Sequence, residues 1–135
     1  MRTLLFLLLF MSQAFAQATP TNQYSAIAPA TPAGVLIASG YHLLIGVQIG
    51  SIATTADYLK FYDTAVAPTC GSGTPSKRII IPVAASAANG NFENIDFTFG
   101  TKFFQGIGYC VTGALPDADT TAITANSVLI NIDWN

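Results

Sequence analysis

Tyr58-Leu59-Lys60-Phe61-Tyr62-Asp63, followed by Pro68-Thr69-Cys70-Gly71-Ser72-Gly73-Thr74-Pro75, decides how the chain is read. The first run alternates with period two. Leu59 and Phe61 share one face, assigned to a core. Tyr58, Lys60 and Tyr62 share the other, assigned to the outside. Asp63 closes the strand, where aspartate favours a turn. The second run is turn-rich and holds no reactive constellation. Its Gly71-Ser72-Gly73 is no phosphate cradle, because the lysine and following helix that such loops need are missing.

The same alternation recurs on both sides of this stretch. Upstream, Tyr41, Leu43, Ile45, Val47 and Ile49 form an apolar face opposite His42, Leu44, Gly46, Gln48 and Gly50. The two glycines on that second face leave room for a close approach or a bend. Downstream, Arg78 to Val83 is an apolar strand whose Pro82 places its end at a sheet edge. Asn89-Gly90 signals a tight turn. Ile95, Phe97 and Phe99 alternate with Asn94, Asp96 and Thr98 until Gly100 stops the strand. Ile107 to Thr112 and Val128 to Trp134 complete the set. No segment of ten or more residues carries a helical stripe. About eight evenly spaced strands predict an all-β fold, an antiparallel β-sandwich of jelly-roll-like type.

The ends of the chain read differently. Arg2, the apolar run from Leu4 to Met11 and the small residues of Ala14-Phe15-Ala16 form the three-part pattern of a signal peptide over residues 1–16. The apolar run is shorter than the roughly 20 residues that a membrane-spanning helix needs. Residues 17–32, rich in Ala, Thr and Pro, read as a flexible or extended arm. Residues 33–135 form the sandwich domain. Removing the leader from the 135-residue chain leaves 119 residues, enough for one core.

Charge is sparse, at 9% of residues, and the balance is −2. The mature chain keeps Lys60, Lys77, Arg78 and Lys102 against seven acids, a net of −3. Such a chain has no electrostatic footprint for nucleic acid. It also lacks the basic amphipathic stretch of a membrane-surface binder. Export makes the even pair Cys70 and Cys110 read as one disulfide, with two buried thiols as the alternative.

Reactive chemistry is thin. His42 is the single histidine, and nothing local supplies the nucleophile and carboxylate of a catalytic set. Asp117 and Asp119 read as turn caps; a calcium loop would need further spaced acids. No metal or cofactor set is visible. Tyr58, Lys60 and Tyr62 are the candidate contact surface, suited to sugar or to another subunit, or else to ordinary sheet packing.

Several runs together resemble small tailed-phage virion proteins. They are Tyr58-Leu59-Lys60-Phe61-Tyr62-Asp63-Thr64-Ala65, Pro68-Thr69, Gly73-Thr74-Pro75 and Ile79-Ile80-Ile81-Pro82. Phe103-Phe104-Gln105-Gly106-Ile107-Gly108-Tyr109-Cys110-Val111-Thr112-Gly113, Asp117-Ala118-Asp119-Thr120 and Val128-Leu129-Ile130-Asn131-Ile132 continue the pattern. The resemblance covers about residues 33–134 and rests on structural motifs. It implies a non-catalytic β-sandwich that decorates a capsid or serves in a head or tail appendage. It also implies partners among its own copies or other virion proteins, a homo-oligomer, and Tyr58, Lys60 and Tyr62 as contact residues. A secreted carbohydrate-binding or adhesin-like module, with a glycan as partner, is the alternative. A small hydrolase built on His42 and scattered acids is the weakest reading.

Overall fold

In the computed structural model, residues 20–71, 78–85 and 90–135 are described. The signal peptide expected over residues 1–16 lies outside them. Eight strands and no helix occur among the described residues: β1 (Asn22–Ile27), β2 (Val35–Ser39), β3 (His42–Ser51), β4 (Asp57–Asp63), β5 (Arg78–Val83), β6 (Asn91–Phe103), β7 (Gly106–Thr112) and β8 (Val128–Trp134). They form two antiparallel four-stranded sheets, ordered β1-β8-β3-β6 and β2-β7-β4-β5. The all-β sandwich expected from the alternation is therefore what the chain builds. Pro82 sits on β5, the outer strand of the second sheet, the position in a sheet where proline is tolerated.

The winding is that of a jelly roll. β1 pairs with β8, β2 with β7, β3 with β6 and β4 with β5, as in one long antiparallel ribbon. Wrapping that ribbon brings β3 against β8 and β4 against β7, which closes the two sheets. Between them lies one core that includes Leu44, Val47, Leu59, Phe61, Ile107 and Ile130. A chain of aromatic rings crosses it. Phe61 lies 6.5 Å from both Phe103 and Tyr109, and Tyr109 lies 5.9 Å from Tyr24.

Tyr24 corrects the domain boundary. Residues 22–27 fall in the segment read as an arm, yet they form edge strand β1, in register with β8 from Asn22↔Trp134 to Ile27↔Leu129. Tyr24 and Ala26 turn inward, while Gln23, Ser25 and Ile27 turn out. The Tyr24 hydroxyl lies 3.3 Å from the Tyr109 hydroxyl of the opposite sheet. Burial and that contact push the Tyr109 phenol well above its ordinary range. The ordered domain therefore starts upstream of residue 33.

Two register details also depart from simple alternation. Leu44, not Leu43, is fully buried, because pairing shifts between Leu44 and Gly46 on β3. A one-residue slip exchanges the faces of everything beyond it. On β6 the same irregularity takes residues 97–100 out of step with β3, since Leu44 pairs with Thr101 and Gly46 with Asp96. Gly100 sits at the corner with φ +69° and allows the strand to continue to Phe103 instead of ending there.

Tyr24→Ala is expected to lower the unfolding free energy by about 1–3 kcal/mol, through lost ring packing and the lost hydroxyl contact. Urea unfolding of the oxidised protein measures it. An unchanged midpoint would mean that β1 is not packed as described.

Candidate functional site

The two outer faces of the sandwich differ, and that difference locates the site. On the β2-β7-β4-β5 sheet, the row read as an outer surface is covered. Leu59 and Phe61 do face the core, and Tyr58, Lys60 and Tyr62 face away from it. Yet Lys60 is 1% exposed and Tyr62 6%, with only Tyr58 half-buried. The expectation of an open Tyr-Lys-Tyr surface is corrected: loops 64–71 and 113–121 form a roof over it.

The roof can be followed residue by residue. Tyr62 pairs with Gly108, and a Cβ at Gly108 would come within 2.7 Å of Thr64 and 2.9 Å of Pro68. Only a glycine admits the loop that closely. Lys60 pairs with Cys110, which is bonded to Cys70 of the first loop. The Cys70–Cys110 disulfide, with its Cα atoms 5.8 Å apart, staples the roof to the middle of the sheet. It is the pairing read from the sequence, and it suits an oxidising, exported environment. Lys60 Nζ donates to the Pro116 carbonyl of the second loop at 2.7 Å. A buried ammonium is costly unless hydrogen-bonded, so this contact holds roof and strand together.

Asp119 shapes that second loop. Its carboxylate accepts from the Ala114 N–H at 2.9 Å and from the Thr121 hydroxyl at 2.5 Å. Burial alone would raise its pKa, but hydrogen bonds from Thr121, Ala114 and Thr112 outweigh this and hold it below the ordinary carboxylate value. Its own N–H donates to the Pro116 carbonyl at 3.0 Å. Asp119 is thus a turn cap, one of the two roles its sequence allowed. Asp63 does similar work across the sandwich. Its carboxylate accepts from the Phe104 N–H at 2.9 Å and the Gln105 N–H at 2.6 Å, fixing the β6–β7 turn. On that turn Phe104 stands exposed beside Tyr41, ring centroids 5.8 Å apart. His42 Nε2 lies 3.0 Å from the Ser39 carbonyl, which makes it a donor there.

The outer face of the β1-β8-β3-β6 sheet has no such roof among the described residues. Its side chains fall in rows that cross all four strands. Ile27, Leu129, Gly50 and Phe92 make an apolar row. Two residues along each strand, Ser25, Asn131, Gln48 and Asn94 make an amide row. Two further on, Gln23, Asp133, Gly46 and Asp96 make an acidic row. Gly46 and Gly50, read from sequence as places of close approach or of a bend, floor two depressions of about 200 and 280 Å³. Among the described residues, no group of three or more His, Cys, Asp or Glu side chains converges to hold a metal ion.

This face escaped the sequence reading as a site. Gln48, Asn94 and Asp96 were visible as the polar partners in alternating strands, whereas Gln23 and Ser25 lay in the segment read as an arm. What joins them is the adjacency of β8, β3 and β6, which depends on the winding. Compared with known protein families and with curated protein sequences, the chain matches none.

Two outcomes are expected for the roof. Replacing both cysteines by serine should cost roughly 2–5 kcal/mol, near the chain-entropy value of about 4 for a 40-residue loop; thermal unfolding of oxidised wild type against the double variant measures it. Followed by NMR, Asp119 should titrate below the ordinary value of about 3.9. A depressed folded pKa means that its stabilisation is complete above that ordinary value and fades as pH falls through the lower one. An Asp119 that titrates normally would remove its part in holding the loop.

Proposed function

We propose that this chain is a non-catalytic structural and interaction module, exported from the cytoplasm, that works through contacts with its own copies or with neighbouring proteins of a particle or surface layer. Capsid decoration or a head or tail appendage is the role that the phage resemblance favours. The observation that supports the reading is the apolar row on the unroofed sheet. Ile27 is 58% exposed, Leu129 41% and Phe92 63%, and Ile52 adjoins them at 69%. An exposed row of this kind marks a contact site more often than chance surface.

Magnitude shapes the reading. A stable isolated complex buries about 800 Å² on each partner. Four apolar side chains around a glycine offer less than that. The contact they make is weak singly and becomes effective where many copies engage at once, as on a repeating particle. The low charge of the chain removes most long-range repulsion between copies. With Lys60 and Tyr62 under the roof, the contact role implied for Tyr58, Lys60 and Tyr62 passes to this row.

Sedimentation velocity over a range of concentrations tests the proposal. The mature oxidised chain should associate weakly and reversibly, and Leu129→Asp should leave it monomeric with an unchanged fold. A chain that stays monomeric at every concentration and binds no particle would overturn it.

A further inference from the structure

The polar end of the unroofed sheet points to a second use. We infer that the amide and acidic rows bind a neutral saccharide chain, laid across β1, β8, β3 and β6 over Gly46 and Gln48. This goes beyond the subunit-contact reading and rests on different residues.

The geometry is a trough. One depression of about 330 Å³ is lined by Gln23, Tyr24, Ser25, Gln48, Asn131 and Asp133. A second, of about 200 Å³, is lined by Gly46 and the polar Gln48, Asn94, Asp96 and Asp133, with Pro20, Ile45 and Ile95 as apolar walls. Gln48 and Asp133 belong to both, so the two meet at the centre of the sheet. Gly46 makes the floor. It pairs with Asp133 on one side and Asp96 on the other, which puts the two acids on strands roughly 10 Å apart. An ideal Cβ on Gly46 would lie 3.6 Å from Asp133 Oδ2, so the carboxylate leans over the notch. A side chain would fit there without a clash and would fill the notch.

The chemistry of the lining selects the ligand class. Gln23, Gln48, Asn94 and Asn131 each offer an amide donor and an amide acceptor. Asp96 and Asp133 add strong acceptors, and Ser25 adds a hydroxyl. No lysine or arginine lines either depression among the described residues. Nucleic acid, phosphate and acidic glycans find no cation here and meet two carboxylates. A divalent cation finds only two acids on separated strands. Vicinal hydroxyls of a neutral sugar both donate and accept, and match donors and acceptors spaced along a strand row. The amides stand on adjacent central and edge strands, so the backbone ladder fixes their spacing before any ligand arrives, which lowers the ordering cost of binding.

The test uses the mature oxidised chain on a printed array of neutral and anionic oligosaccharides, followed by NMR shift mapping and titration with the strongest neutral binder. Neutral glycans should be retained and anionic ones not. Shifts should centre on Gly46, Gln48, Asn94 and Asn131. Gly46→Val and Gln48→Ala should each weaken binding at least tenfold while leaving thermal unfolding and self-association unchanged. Leu129→Asp should do the reverse, losing self-association and keeping the glycan, so the two readings fail separately. The inference is overturned if no neutral glycan binds. It is equally overturned if the shifts gather at Tyr41 and Phe104, if Gly46→Val binds as well as wild type, or if a basic peptide displaces the glycan from the trough and binds more tightly.

Discussion

Sealing Lys60 beneath two loops is the constraint from which the asymmetry of this molecule follows. A lysine at 1% exposure needs partners for its ammonium, and the Pro116 carbonyl is one of them. That carbonyl is in place because Asp119 holds the 113–121 turn. The facing loop is in place because Cys70 is bonded to Cys110, directly across from Lys60 on β7. Gly108 lets Pro68 descend onto the sheet beside Tyr62. Each of these residues would be ordinary alone. Together they lay a further layer over one face of a two-layer sandwich and bury Lys60 and Tyr62 beneath it.

The opposite face is defined by winding. A jelly roll pairs the two ends of a ribbon, so β8 comes to lie between β1 and β3, and β6 lies beyond β3. Residues far apart in sequence then line up: Gln23, Asp133, Gly46 and Asp96 in one row, Ile27, Leu129, Gly50 and Phe92 in another. The core holds this register. Tyr24 from one edge of the sheet and Phe103 from the other both reach the pair Phe61 and Tyr109 on the second sheet. A slip of one residue on any strand would send its outward set inward, so packing inside fixes the pattern outside. Apolar and polar rows thus lie at opposite ends of one rigid surface, where the proposed neighbour and the inferred ligand would not compete.

Much of the fold was legible because period-two alternation survives locally in each strand. Ile95, Val128 and Leu59 all lie on the faces that alternation assigns to them. The Cys70 and Cys110 pair was legible from export and even number. The failures have physical causes. Lys60 and Tyr62 look like surface residues to any reading of one strand, since a loop that covers them is distant in sequence and leaves no periodic mark. Tyr24 was hidden by its setting among Pro, Ala and Thr, although Tyr24-Ser25-Ala26-Ile27-Ala28 does alternate. Leu44 displaced Leu43 because a register shift is a property of three paired strands, not of one. The candidate site was legible as fragments, Gly46 and Gly50 above all, but its assembly needed the strand order.

Among the described residues, one sheet face is closed and the other open. Hydroxyl-radical footprinting of the oxidised protein distinguishes them. Phe92 and Leu129 should label rapidly, and Tyr62 should label many times more slowly in spite of its intrinsically reactive phenol. A Tyr62 that labels as fast as Phe92 would show that the roof is not closed, and would return the Tyr58, Lys60 and Tyr62 row to the list of working surfaces.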